Sequence, residues 1–471
     1  MTASVAAGLS GDSGWILTAA TLVVAGLLLV PGWIVGRSAR LAALPSLAVA
    51  PALSSAIIAA AEILAHTLAL PWLPWGWAVI AGLTAVLVLM ARLLVGAPPE
   101  RARRAASQGR AEWVILAAGL TVAVAVPAGV ILTVLPGPGY PAQAFDATFH
   151  LNAVAAIREG GNASMLGGLS ALYSGRTVYY PTVWHGAVAL APGSPAPVST
   201  AGVLALTAVV WPLSLLGLLA RAAGLDAARA SETDRARRRQ RTCAVAAVLA
   251  LSAAVVGFPL LPMTALAVWP YALSVAGLPG VLVLYDLLRQ ETASWRLRLV
   301  LVLLAMAAGG GVVAAHGTGL FNLAVLSPPF LVNLLVSRWR RSATRRGGRA
   351  LLVAGAVASV LVLAVGAWVM RASLASVLGY QRPAGGVGGI VATLGQALID
   401  LPMYGAVPGA SLPVGIVFGG FTLAAAWSAR AHRDQRPWLV MWLLSLLLVV
   451  LVGGPQWAGR QLGAPWYLQK A

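Results

Sequence analysis

The chain has 471 residues, of which 59% are hydrophobic and only 10% charged, with a mean hydropathy of +0.86. A soluble protein of this length cannot bury so much apolar surface in its cores, so that surface must face lipid. The formal charge of +19 would suit a nucleic-acid partner, but its distribution excludes that use and points to membrane topology instead.

In hydrocarbon an unpaired backbone amide costs several kcal/mol, so only helices and closed barrels cross it. The apolar runs here are too long and too uniform for alternating barrel strands. The expected fold is therefore all-α, a polytopic transmembrane helix bundle. A crossing needs roughly 20 apolar residues, and runs near that length predict about 12 spans, at 15–35, 41–63, 78–94, 113–135, 198–219, 244–258, 271–288, 299–315, 320–336, 351–369, 412–427 and 437–452. Pro259, Pro262, Pro270 and Pro279 interrupt these runs. The predicted layout is N-terminal membrane helices at 1–135, a large extracytoplasmic loop at 136–200, a membrane core at 201–452, and an extracytoplasmic tail at 453–471 whose abrupt end suggests truncation.

Of the 32 basic residues, 26 lie in six short clusters between the runs, and the other six (Arg158, Arg176, Arg371, Arg382, Arg460 and Lys470) all fall in the alternate loops. The positive-inside rule makes the clusters cytoplasmic, with anionic membrane lipids as neighbours. This predicts a multi-pass protein of the bacterial cytoplasmic membrane. The 221–241 cluster reads as a solvated linker. No phosphate-cradling glycine loop followed by Lys and Ser or Thr occurs, which disfavours an ATP-driven transporter. Cys243 is the single cysteine, so neither an intrachain disulfide nor a cysteine metal cluster can form.

Four of the five histidines, His66, His150, His185 and His316, map to the extracytoplasmic half, where acidic residues are scarce. Within the loop, Leu151, Val154 and Ile157 recur at helical spacing while Asp146 and His150 share a different face, predicting a short amphipathic helix at the membrane surface. Near its first turn the helix dipole would favour ionised Asp146, which suits a base or a divalent-metal ligand, although a simple N-cap remains open. Downstream, Tyr179, Tyr180, Trp184 and His185 return toward the bilayer, as an aromatic belt or as a surface that stacks on a sugar or prenyl chain. Glu62 and His66, four residues apart in the second span, form a structural pair or line a cavity. His316, Thr318 and Asn322 form another inward-facing group. Arg158, Arg371 and Arg382 are candidate phosphate ligands.

Asp146 to Asn152 in a large outer loop, Tyr180-Pro181 with Trp184-His185, Trp269-Pro270-Tyr271, and His316-Gly317-Thr318 resemble the uncharacterised actinobacterial membrane proteins grouped with the GT-C glycosyltransferases. The resemblance runs from about residue 110 onward. It implies an enzyme that takes a sugar from a polyprenyl-phosphate donor and transfers it, usually with inversion, to a cell-envelope glycan or lipid acceptor. Asp146 matches the family's loop carboxylate, which accepts the acceptor proton or, in some branches, holds a metal. No other cofactor is implied. The chain departs from the family in having three or four spans before the loop. A transporter or flippase of lipid-linked glycans, a glycan polymerase or ligase, and a non-catalytic membrane scaffold are the competing expectations.

Overall fold

The computed structural model describes residues 11–96, 109–134, 137, 139–226, 232–290, 294–342, 368, 385–400, 408–432, 435–457 and 460. Among them the chain is helical, with one isolated bridge pairing Leu166 and Tyr179. The helices follow as α1 (Gly11–Ser38), α2 (Ala43–Thr67), α3 (Trp72–Val95), α4 (Arg110–Val134), α5 (Phe145–Gly160), α6 (Val183–Ala189), α7 (Pro195–Ala222), α8 (Glu232–Ser252), α9 (Trp269–Gln290), α10 (Trp295–Ala315), α11 (Gly319–Leu326), α12 (Pro328–Ser342), α13 (Gly386–Ile399), α14 (Pro408–Ala429) and α15 (Arg436–Gly453).

Eight of these helices are long and apolar enough to cross a membrane. The number rises to ten if each of two bent pairs, α8 with Val256–Met263 and α11 with α12, is one span. The chain is thus a multi-pass helical protein by length and composition. Of the 12 predicted spans, the one at 351–369 lies outside the described residues apart from 368, and the one at 412–427 falls in α14, whose Gly415–Ala429 stretch is a shorter apolar helix. The glycine-rich stretch between the predicted spans at 351–369 and 412–427 contains α13, a helix hidden by five glycines at 385–395 that carry little periodic signal.

The chain divides into two compact units, 1–320 and 321–471. In the first, α2 is the hub, touching α1, α3, α7, α9 and α10. Its apolar window is 72% buried, against 11% for α3, which turns most of its surface outward. Small residues explain the difference. Gly32 of α1, Gly217 of α7, Gly280 of α9 and Gly311 of α10 lie so close to α2 that a Cβ would come within 1.9 to 2.5 Å of a carbonyl oxygen of Ala50, Leu44, Ala48 or Ala52. Backbone-to-backbone packing of this kind drives association where lipid removes the hydrophobic incentive. Ser214 adds hydrogen bonds to the Ala48 and Ala276 carbonyls at 3.2 and 2.8 Å.

At the arginine-rich end of this unit, the 221–241 segment is not a uniformly solvated linker. Arg221 bridges Asp226 at 2.6 Å and Asp286 at 2.8 Å, and Asp286 also binds Arg289 at 2.8 Å. Arg238, buried, pairs with Glu112 at 3.2 Å. Acidic residues far off in sequence fold back onto the cluster, which a reading of local charge could not show. In the second unit, α13 packs on α14 and α15. Gly415 and Gly419 of α14 approach the Ile399 and Leu398 carbonyls as closely as the hub glycines approach α2.

Candidate functional site

Between α4 and α7 the first unit carries α5, a short bridge and α6 at the end opposite the arginine network. Ala144, extended, precedes α5 without a side-chain cap, so Asp146 lies in the first turn and is not the N-cap. The helix ends at left-handed Gly161, whose carbonyl accepts the Trp72 backbone N–H at 2.7 Å. Its buried face comprises Ala147, His150, Ala153, Val154 and Ile157. His150 therefore belongs to the apolar stripe instead of sharing a polar face with Asp146, because positions i, i+4 and i+7 from His150 to Ile157 coincide on a helix.

That stripe meets α6, a seven-residue helix buried along its whole length among α2, α5, α7 and α9. Here His150 Nδ1 lies 2.9 Å from His185 Nε2. Trp184 and Trp269 stack at 4.8 Å, and His150 lies 5.2 Å from the Trp269 ring. Phe149 and Tyr180 close the side toward the loop at 4.9 Å. Burial in this aromatic box strips the histidines of water and holds them neutral. The same cause, reinforced by His316, pushes His150 down to about 3, and burial with His150 nearby pushes His185 well below the ordinary value. Burial lowers His316 to about 4.

With both rings neutral, one proton serves the His150–His185 contact. Which ring donates depends on the tautomer, since carbonyls lie beside both rings, Ala267 at His150 and Pro181 and Thr182 at His185. His185 Nδ1 is buried near the Pro181 and Thr182 carbonyls without a hydrogen bond. Ala267 reaches this position at φ 51, a left-handed conformation that costs a non-glycine residue of order 1 kcal/mol and that clusters at functional sites.

Asp146 is half-buried and has no hydrogen-bond or ion-pair partner among the described residues. Burial raises its pKa from the ordinary aspartate value, a shift opposite in direction to the helix-dipole expectation. Burial, with the charges of Tyr173 and Asp146 nearby, pushes the Tyr180 hydroxyl up as well, so it stays a proton donor.

Glu62 and His66 do not pair. Glu62, 1% exposed, turns into the bundle and accepts from Thr182 Oγ1 at 2.9 Å, while His66 is exposed. A residue four positions along α2 points past the hub, whereas Glu62 meets the start of α6. Its Oε1 has no hydrogen-bond partner, and a Cβ on Gly186 would come within 2.0 Å of that atom. Trp72, also buried, fixes the same glycine by donating Nε1–H to its carbonyl at 2.9 Å.

Several other expected site residues have different surroundings. The Arg158 guanidinium is spent on the carbonyls of Ala189 (3.1 Å), Ala191 (2.5 Å) and Gly193, so it staples the α6–α7 turn and is not a free phosphate ligand. Trp184 is fully buried, which removes it from an interfacial belt, whereas Tyr179 is half-exposed. His316 caps α10, with Nδ1 2.7 Å from Thr318 Oγ1 and its ring 5.8 Å from Tyr271. Asn322 is buried in α11, in the second unit. Arg371 and Arg382 lie outside the described residues. Among the described residues no three His, Cys, Asp or Glu side chains are grouped to hold a metal ion. The residues that sequence reasoning left out of the site are Thr182, Gly186, Ala267 and Trp269. Only Trp269, within a conspicuous Trp-Pro-Tyr string, carried a signal.

Neither the curated proteins nor the solved structures searched give a match. A family of unknown function, DUF6541, matches residues 25–471, and the chain belongs to that family.

Proposed function

We propose that the protein is an integral membrane glycosyltransferase that uses a polyprenyl-phosphate sugar at the face carrying α5 and α6, on the extracytoplasmic side. The observation that carries this proposal is Asp146, a carboxylate with no partner, raised affinity for protons and partial exposure, beside a box of neutral histidines and aromatic rings. Unsatisfied, desolvated titratable groups cluster at working sites.

In the proposed reaction an acceptor hydroxyl attacks the anomeric carbon, and its proton passes to Asp146 as the new C–O bond forms. The bond from that carbon to the phosphate oxygen breaks with inversion, and polyprenyl phosphate leaves with the electron pair. Tyr180, kept protonated, donates a hydrogen bond to the departing phosphate. The rings of Phe149 and Tyr180 supply a stacking surface for the sugar. His150 belongs to the aromatic box at the start of α6, and in this scheme Asp146 carries the proton.

General-base help of this kind is worth about 10²- to 10⁴-fold in rate. Purified protein in lipid discs, given radiolabelled polyprenyl-phosphate sugar and envelope acceptor, should transfer label. An Asp146→Asn variant should lose activity by that factor with its thermal unfolding unchanged. Equal rates for the two proteins would refute the proposed role of Asp146.

A further inference from the structure

At the arginine-rich end of the first unit, away from the proposed transfer site, Arg37, Arg40 and Arg92 surround a cavity of about 440 Å³ with Trp33, Ile34, Ser38 and Gly96. Arg37 donates to the Leu41 carbonyl and Arg40 to the Gly96 carbonyl, which fixes two of the forks while leaving further N–H groups unused. None of the three pairs with a carboxylate among the described residues. The contrast with Arg221 and Arg238, each neutralised by acids at the same end, is direct.

Ile34 lines this cavity and also a second one of about 700 Å³, which continues between α1 and α3 past Leu27, Val30, Ile80 and Val88. The second cavity is apolar, lined by aliphatic side chains and Trp77. Its one hydroxyl, on Thr84, is already bonded to the Ile80 carbonyl at 2.7 Å, so beyond the Trp77 indole the lining side chains offer a guest only apolar surface. At Gly26, in its wall, an added Cβ would meet no atom within 4 Å.

An oily trough opening into a pocket of three guanidinium groups that meet no carboxylate among the described residues matches a molecule with a hydrocarbon chain and an anionic phosphate head. We propose that α1 and α3 hold one anionic phospholipid of the surrounding membrane, an acyl chain along the trough and its phosphodiester on Arg37, Arg40 and Arg92. Arginine suits this head because its planar fork meets two phosphate oxygens at once. The site would bind a resident lipid that fills the α1–α3 groove.

The protein is reconstituted with phosphatidylglycerol, exchanged into phosphatidylcholine detergent micelles, and examined by native mass spectrometry for retained lipid. The wild type should keep one phosphatidylglycerol in preference to phosphatidylcholine. Arg92→Gln should weaken retention about fivefold and the triple Arg→Gln variant roughly 100-fold, from the usual worth of a basic residue at an anionic surface. Gly26→Phe, which fills the trough and leaves every charge in place, should also abolish retention and keeps the test valid if the triple variant fails to fold. Equal retention of the two lipids, retention unchanged by both Arg92→Gln and Gly26→Phe, or displacement by polyprenyl phosphate but not by phosphatidylglycerol would each overturn the assignment.

Discussion

The two ends of the first unit treat polar side chains in opposite ways. At one end Asp286 is shared between Arg221 and Arg289, and Arg238 meets Glu112. Charge there is buried only when neutralised. At the other end Glu62 Oε1, Trp184 Nε1 and His185 Nδ1 are buried without hydrogen-bond partners, and Asp146 stands alone at the edge. Each such orphan costs on the order of 1 to 3 kcal/mol. In the ion-pair network Asp226 Oδ1 and Arg289 Nε also lack a hydrogen bond, but both side chains are anchored through their other atoms. At the second end Glu62 and Asp146 meet no cation among the described residues, which marks that end as the place where a ligand completes the bonding.

Substitution should expose that contrast, most strongly where paired and unpaired carboxylates are exchanged for neutral groups. Asp286→Ala strands two arginines in a buried network and should cost about 3 to 5 kcal/mol of stability, whereas Asp146→Asn should leave unfolding unchanged while removing transfer. If both variants unfolded alike, the distinction between the ends would fail. Acid should separate them next. His150 and His185 are held neutral, so protons bind the unfolded chain first; stability is full above about pH 6.5 and falls as pH drops toward about 3, by a few kcal/mol. His150→Phe should flatten that decline in a pH series of thermal unfolding.

Smaller effects sharpen the picture further. Gly186→Ala drives a methyl group into Glu62 and should cost about 1 to 3 kcal/mol, most of it recovered by Glu62→Ala in a double-mutant cycle. His66→Ala, at an exposed position, should change stability by less than about 0.5 kcal/mol. A larger loss at His66 would mean that the Glu62 environment extends along α2.

Much of the bundle was legible from hydropathy, since the run at 15–35 falls within α1 and those at 41–63 and 113–135 overlap α2 (Ala43–Thr67) and α4 (Arg110–Val134). Elsewhere the helices depart from the forecast. The 244–258 run is bent by 53° at residues 253–255, and the following turn carries Ala267 to His150. Spacing placed Asp146 and His150 on one helix but assigned His150 to the wrong face, because a histidine counts as polar until a buried partner such as His185 is known. Long-range partners, Thr182 for Glu62 and three loop carbonyls for Arg158, have no local signature.

The hub helix α2 has a further consequence for the chemistry at its far tip. Four neighbours meet it through glycine with no side chain to act as a cushion, so α2 cannot slide or rotate without driving its own main-chain oxygens into the neighbouring backbones. Glu62 is carried on a fixed axle, and its register against Thr182 and Gly186 is set by contacts several turns away. Enlarging Gly280 or Gly311 should therefore disturb the distant histidine box while touching none of its atoms.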